Sequence, residues 1–498
     1  MVSRRLVATY LLLAVVLSAG KAARVDTVGW TDRDRQVLGP SCRYIVNDTL
    51  RGLHAVWKNG LGEIRYSFRP RGRDWRWPGG VLLSPYSRNL GGMDVDLTTG
   101  RAVIGADYVS RGSVRGSFFR DSAAGSGRFS EAGLGTGFRR VVTATSRYGY
   151  ARFGALRGDS LCHLSHFSSL RLDPSGPFPT HSLAGSRTSS RFCHIWSRPD
   201  GPDAGALMLK ETPNNGQDWY ATVNLSDTSG QAESRAPLGG QAVYDSIRLY
   251  VVTTFHDGRN PNRGRIWFYA KYDSPAWYPV HDFELPDTAD IGDYALGAGR
   301  PTIGRNQRTG ELFVVWEQFD PDNVEPRTGL CRADVWAVRS RDGGRTWGEP
   351  VRLTGPDSVS RRFPFLADVV DDSLHILCFA DRCAGFWEQG QGSQTANAVL
   401  VISAAVDEIP AAVDEAPAAG RLLPVSLSPV VSRRGFDFLL DEPQRVRAFD
   451  AAGRLRARDR LDGRVSNWGH ELSPGVWTLE FDPAGPGPAQ RVRVIRLP

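Results

Sequence analysis

Short apolar runs that end or pivot on an aromatic recur along the chain: LHAVW at Leu53–Trp57, FCHIW at Phe192–Trp196, LYVVTTF at Leu249–Phe255, LFVVW at Leu312–Trp316 and LHILCF at Leu374–Phe379, with a weaker copy, AVIGADY, at Ala102–Tyr108. Runs this short, rich in β-branched and aromatic residues and bounded by glycine turns, predict strands rather than helices. From Trp196 onward they return about every sixty residues, the length of a four-stranded antiparallel unit with one long loop. Around LFVVW the order is clearest: GRPTIGRNQRTG precedes it, and ADVWAVRS, a polar turn and EPVRLT follow. The same order can be laid over the segments around LHAVW and LYVVTTF. Six such units are expected between Val25 and Ile409, with room for an insertion or a seventh unit in the long interval from Tyr108 to Trp196.

The polar turn reads SRDGGRTWGEP from Ser340 to Pro350. Asp342 can accept from turn amides, Gly343 and Gly344 permit positive φ, Ser340 and Thr346 can fix the hairpin, and Trp347 can plug the space between units. A degenerate copy, TPNNGQDW, keeps Asn214, Gly216, Asp218 and Trp219, and RGRDW keeps Gly72, Asp74 and Trp75. The pattern at Ser340, Asp342, Gly344, Thr346 and Trp347 resembles the Asp box (BNR repeat) of the sialidase family and of other Asp-box β-propellers. That resemblance implies a six-bladed, or seven-bladed, β-propeller with the box at the blade periphery, away from any active site. The motif is therefore expected to be architecture, and function must be argued from other residues.

The sialidase family binds a sugar carboxylate with three arginines, whose planar forks match the carboxylate. Arginines recur here where innermost strands should begin: Arg43 in SCRYIV, Arg300 in GRPTI, and Arg361 and Arg362 in RRFPF. Arg43, Arg300 and Arg362 are the candidate ligand-binding residues, the competing expectation being that they pair with acidic neighbours. The family's nucleophile is a tyrosine from the last part of the propeller, activated by a glutamate. The last tyrosine here is Tyr294, and Arg43 is followed by Tyr44 and Ile45 rather than by the family's Ile-Pro. Both departures argue against a conventional sialidase. Glu317 and Asp368 are acids near expected inner strands, with nothing in the sequence to single them out.

The two ends have a different character. Arg4 and Arg5, an apolar run from Leu6 to Leu17 and the small residues Ser18, Ala19 and Gly20 match a secretory signal peptide over residues 1–23, and no later stretch is apolar enough to span a membrane. The propeller is expected over 24–410 and an Ala/Pro-rich linker over 411–429. Residues 430–498 predict a small Ig-like β-sandwich. DAAGRL at Asp450–Leu455 and LSPGVW at Leu472–Trp477 make it resemble the C-terminal sorting domain of type IX secretion cargo, although Trp477 stands where that family usually has tyrosine.

Charge and cysteines change this picture little. The formal charge is +7, but only four residues are lysine and the arginines are scattered among acids, so nucleic acid is not an expected partner. Six cysteines suit an exported, disulfide-bearing protein, with Cys378 and Cys383 the most plausible local pair. Cys162, His163, His166, Cys193 and His194 lack the paired short spacings of a zinc site. The loop Asp320, Asp322, Asn323, Glu325 offers oxygen ligands for calcium, the competing expectation being a solvated acidic loop, and no other cofactor is expected. The expected function is a secreted or surface propeller that binds a glycan or protein on its central face, with the secretion machinery as a second partner through the C-terminal domain. The rival is a glycoside hydrolase with a non-standard nucleophile.

Overall fold

The computed structural model describes residues 23–34, 36, 43–60, 62–84, 87–165, 169–174, 180–198, 205–227, 238–245, 248–256, 260–271, 276–412, 426–428, 431–432, 436–451, 454–483 and 490–496. All but the last residue of the leader expected at 1–23, and most of the linker at 411–429, lie outside these residues. The chain divides into two compact units, Met1–Ala412 and Val413–Pro498.

The first unit is all-β and is built from successive antiparallel sheets of the β-propeller type. Among the described residues there are seven. The first runs through Ile45–Asp48, Gly52–Lys58, Ile64–Pro70 and Val81–Ser84, and the second through Ser87–Asp96, Arg101–Ser110, Ser113–Asp121 and Phe129–Thr136. The third is Phe138–Thr145, Ala151–Arg157, Ser160–Leu164 and Ser169–Asp173; the fourth is His181–Gly185, Phe192–Ser197, Leu207–Thr212 and Val223–Asn224. The fifth is Gly240–Asp245, Arg248–Phe255, Arg263–Ala270 and Ala276–Glu284; the sixth is Ala298–Asn306, Leu312–Val324, Cys331–Ser340 and Val351–Arg352, joined by the short strand Val369–Val370. The seventh takes Ser360–Leu366, Ser373–Asp381 and Asn397–Ala405 from one end of the unit and Arg24–Thr31 from the other. First strands neighbour one another in sequence order, and Ser360–Leu366 returns to Ile45–Asp48.

Seven sheets differ from the six units expected. The additional one is the third, within the interval from Tyr108 to Trp196 that has room for a seventh unit. Second strands carry the recurrent aromatic into the core: Trp57, Trp196 and Trp316 are all fully buried. No helix of the described residues is long and apolar enough to cross a membrane.

The turn Ser340–Trp347 links the third and fourth strands of the sixth sheet. Asp342 Oδ1 accepts from the Ser340 hydroxyl (2.8 Å) and from the amides of Arg345 and Thr346 (both 3.0 Å), while the Ser340 hydroxyl accepts from the Gly344 amide (2.9 Å). Trp347 packs edge-on against Phe268 of the preceding sheet at 5.4 Å. In the degenerate copy, Asn214 and Asp218 bond to each other, the Gly216 amide donates to Thr212 Oγ1 (2.9 Å), and Trp219 meets His163, again on the third strand of the preceding sheet. Gly344 has φ +90°, and a Cβ there would stand 2.1 Å from the Phe268 ring. Gly344→Ala is therefore expected to lower stability by about 1–3 kcal/mol, through strain and overpacking together, measured as a shift of the urea midpoint.

Two expectations are corrected. Cys162, Cys193, Cys331, Cys378 and Cys383 are all free and buried, so no disulfide forms among the described cysteines. Cys378 lies inside its strand, in the core formed with Leu400 and Ile402, whereas Cys383 follows the strand end with its sulfur against Gly392. Burial pushes the Cys378 thiol up to about 12.

The second unit pairs Ser426–Ser428, Phe436–Phe449, Gly475–Pro483, Gln490–Arg496 and Val431–Ser432 in that order, with Leu455–Trp468 against Phe436–Phe449. Its core gathers Phe436, Val446, Leu472, Trp477, Leu479 and Phe481.

Candidate functional site

Two first strands carry a bulge near their start. Register breaks between Gly299 and Thr302 and between Arg362 and Phe365, and Arg300 and Phe363 adopt φ +53° and +54°. Such bulges re-aim side chains, and here they turn two arginines onto one anion. Glu317, on the second strand of the sixth sheet, accepts from Arg300, from Arg362 (3.2 Å) and, through its other oxygen, from the Phe363 amide (2.9 Å). The arrangement has a precedent within the chain: Asp107, on the second strand of the second sheet, accepts from the amide of Arg140, whose φ is +53° (2.5 Å).

Burial opposes the charge on Glu317, but Arg300 and Arg362 outweigh it and hold the carboxyl below its ordinary range. Arg362 lies between the rings of Phe319 (4.9 Å) and Phe386 (4.7 Å), and Arg300 lies over Phe363 (4.7 Å). The two guanidinium-bearing side chains are only 3% and 4% exposed, so neither offers an open fork to a ligand carboxylate.

Arg300 does reach outward through the backbone. Its Nη2 donates to the carbonyl of Tyr294 at 2.6 Å, and Tyr294 is held at φ +54° with its residue 55% exposed. A tyrosine in the left-handed region costs about 1–2 kcal/mol and persists only where its surroundings over-determine it. Immediately before Tyr294 in the chain, Asp290, Gly292 and Asp293 line a polar depression of about 610 Å³, completed by Arg327, Thr328 and Gln391. Gln391 also accepts from the Phe386 amide (3.1 Å), tying the depression to the ring stacked on Arg362.

Arg43 is brought to a different place. Its Nη2 donates to the Ala242 carbonyl of the fifth sheet (3.0 Å), and its Nε stands 3.6 Å from Asp368. Asp368 is shared with Arg187, whose Nε donates to it at 2.6 Å while Nη2 binds Asp94 at 2.5 Å and Nη1 binds Thr145 Oγ1 at 3.0 Å. Burial would raise the Asp368 carboxyl, but Arg187 and Arg43 bring it down to about 2. This buried network joins the first, second, third, fourth, fifth and seventh sheets, so Arg43 ties the sheets together. Arg361 points elsewhere, to Asp357 (2.6 Å) and Asp334. The sequence named Asp368 and Glu317 without a role, and gave no signal for Arg187 or Asp94, which sit in no motif.

The acid-rich loop is occupied by arginines: Asp320 pairs with Arg352 (2.9 Å), and Glu325 with Arg332 and Arg327. His163 and His194 bond to each other (Nδ1 to Nε2, 2.9 Å), His166 lies outside the described residues, and no cluster of three metal-ligating groups occurs among the described residues. One further acid stands apart. Burial, with Asp34 adding to it, pushes Asp381 up to about 7 although it accepts from the Cys383 amide and the Thr395 hydroxyl.

No family model matches the chain, and a search of curated proteins finds no match. Among solved structures it is similar to the BP39L lectin of Burkholderia pseudomallei (12% identity, 72% of this chain and 99% of that one, TM-score 0.43). It is also similar to a polysaccharide lyase, the PL25 ulvan lyase (9% identity, 73% and 92%, TM-score 0.45). A third is PorZ, a surface component of the type IX secretion system of Porphyromonas gingivalis (12% identity, 92% and 70%, TM-score 0.30). At these values the likeness carries no argument about ligand or reaction.

Proposed function

We propose that the chain is an exported, seven-bladed, sialidase-like β-propeller that binds an extracellular glycan beside Tyr294, with a C-terminal unit of the sorting type that directs it to the cell surface. The observation that carries the binding reading is Tyr294 itself. It is an exposed aromatic in a strained backbone conformation, its carbonyl held by Arg300 of the Arg300–Glu317–Arg362 cluster, and it follows directly on Asp293, which lines a polar depression. Sugars present both an apolar ring face, which a tyrosine can stack on, and hydroxyls, which the carboxylates, amide and guanidinium of the depression can bond. The leader at 1–23 and the DAAGRL and LSPGVW segments support export and sorting.

Screening the full chain on a glycan array should give ligands whose binding falls at least tenfold in Tyr294→Gly, with stability unchanged within about 1 kcal/mol because glycine relieves the left-handed strain while loosening the unfolded chain. Equal binding by Tyr294→Gly would remove this face as the site. The same preparation should be offered fluorogenic glycosides, including a sialoside. Turnover abolished by Asp381→Asn would replace binding with hydrolysis, for which a carboxyl poised near neutrality is suited.

A further inference from the structure

A second surface lies at the opposite ends of the first strands, on the hairpins that follow them. The hairpin between Phe138–Thr145 and Ala151–Arg157 projects Tyr148 and Tyr150, 59% and 54% exposed, and stacks a guanidinium on each: Arg147 over Tyr148 (5.9 Å) and Arg152 over Tyr150 (5.6 Å). The surface is stitched to its neighbours by backbone groups. Arg147 donates to the Thr188 carbonyl (3.3 Å), Arg152 to the Asn215 carbonyl (2.9 Å), and the Asn215 amide to the Ser190 carbonyl (2.8 Å). It continues into the fourth and fifth sheets with Tyr220, 45% exposed, under the Lys271 ammonium at 5.4 Å.

The charges on this surface do not cancel. Arg147 and Arg152 make no ion pair with an acid among the described residues, and their bonds are to carbonyls. The acids nearby are held by other groups: Glu211 is buried beneath Arg191 and Lys271, Asp96, against Gly149 of the hairpin, accepts from the Thr98 and Thr99 hydroxyls, and Asp218 keeps its charge but accepts from the Asn214 amide. Arg147 bonds through Nη1 and Arg152 through Nε and Nη1, which leaves donors of both forks for an incoming anion, and the two tyrosines beside them are more than half exposed.

We propose that this face binds an anionic polysaccharide, its sugar rings stacking on Tyr148 and Tyr150 and its sulfates or carboxylates meeting Arg147 and Arg152. Alternation of aromatic and guanidinium at the spacing of one hairpin fits a chain that alternates ring and charge; a purely charge-driven partner would have no use for the exposed rings. The site is separate from Tyr294 and does not depend on the reading given to that residue.

The test uses the full chain and three immobilised probes: dextran sulfate, unmodified dextran and duplex DNA. At about 50 mM salt, where charge contacts with a polyanion are strong, the protein should be retained by dextran sulfate and not by dextran. The double variant Arg147→Ala/Tyr148→Ala should lose at least tenfold in affinity, and Tyr148→Ala alone should lose several-fold without changing the salt dependence. Thermal melts of the variants check that these exposed changes leave the fold intact. Failure of the parent to bind dextran sulfate, parent-like binding by the double variant, or equal retention on DNA would each overturn the proposal, the last by reducing it to nucleic-acid or undirected polyanion binding.

Discussion

Glu317→Ala is expected to destabilise the first unit by about 3–5 kcal/mol, as removal of one partner from a buried ion cluster does elsewhere. Three consequences add at one site. Arg300 and Arg362, both buried, lose the anion they share and face each other as like charges. The Phe363 amide, on a residue at φ +54°, loses its acceptor, so the bulge that shapes the strand loses its support. Finally, Arg300 is freed from the position in which it holds the Tyr294 carbonyl. Glu317→Gln separates these effects, because it keeps an acceptor for Phe363 while removing the charge, and it should fall between parent and alanine variant. Urea unfolding followed by tryptophan fluorescence measures all three proteins. Identical midpoints for Gln and Ala would mean that charge alone matters; a parent-like Ala variant would mean that the cluster contributes nothing to stability. The Gln variant also tests the coupling to the site: the glycan binding proposed at Tyr294 should weaken in it even where the fold persists.

What the sequence made legible was whatever a short window encodes. The strand ending in Trp316 declares itself by five apolar residues in a row, and the turn from Ser340 to Trp347 by polar groups that bond within a few residues of one another. The third sheet was harder to see because its core positions are filled by Phe153, Ala155, Cys162 and Leu164 without a terminal aromatic run. Closure of the seventh sheet depends on Arg24–Thr31 pairing with Asn397–Ala405, strands separated by nearly the whole unit, and no local pattern reports that. The same holds for charge. Arg43, Arg300 and Arg362 looked alike at strand starts, yet a bulge sends two of them to Glu317 while the third crosses to Asp368 and Ala242. Which acid an arginine meets is decided by ring geometry, and Tyr294 became a candidate only once its backbone angle and exposure were known.

Acid should unfold the first unit well above the range in which its carboxylates protonate. Burial lowers His54 and His163 to about 3 and His181 and His375 to about 4, so all four are neutral in the folded protein at any pH above 5. Their unfolded values lie near 6.5, so below that pH the unfolded chain binds protons that the folded one refuses, and stability falls by about 1.4 kcal/mol per pH unit for each histidine. His163 and His194 sharpen the effect, since they are bonded to each other under Trp219, with Arg152 nearby, and a second proton there would set cation against cation. Asp381 acts in the opposite sense: raised to about 7, it keeps a proton that the unfolded chain releases above about pH 4, so lowering the pH from 7 to 4.5 recovers part of the loss. Glu317 and Asp368, both lowered, lose their contribution only as pH falls below the ordinary carboxylate range. Five buried histidines, His194 among them, against Asp381 and Asp334, whose carboxyl burial also raises, leave a net loss of several kcal/mol between pH 6.5 and 4.5. Urea midpoints at half-unit steps from pH 8 to 4 should therefore be flat above 7 and fall steeply below 6.5, and His54→Gln should flatten the fall by about one histidine's share. A midpoint that holds to pH 4.5 and drops only with the carboxylates would show that these imidazoles take up protons in the folded state and are not sealed by the packing of the sheets.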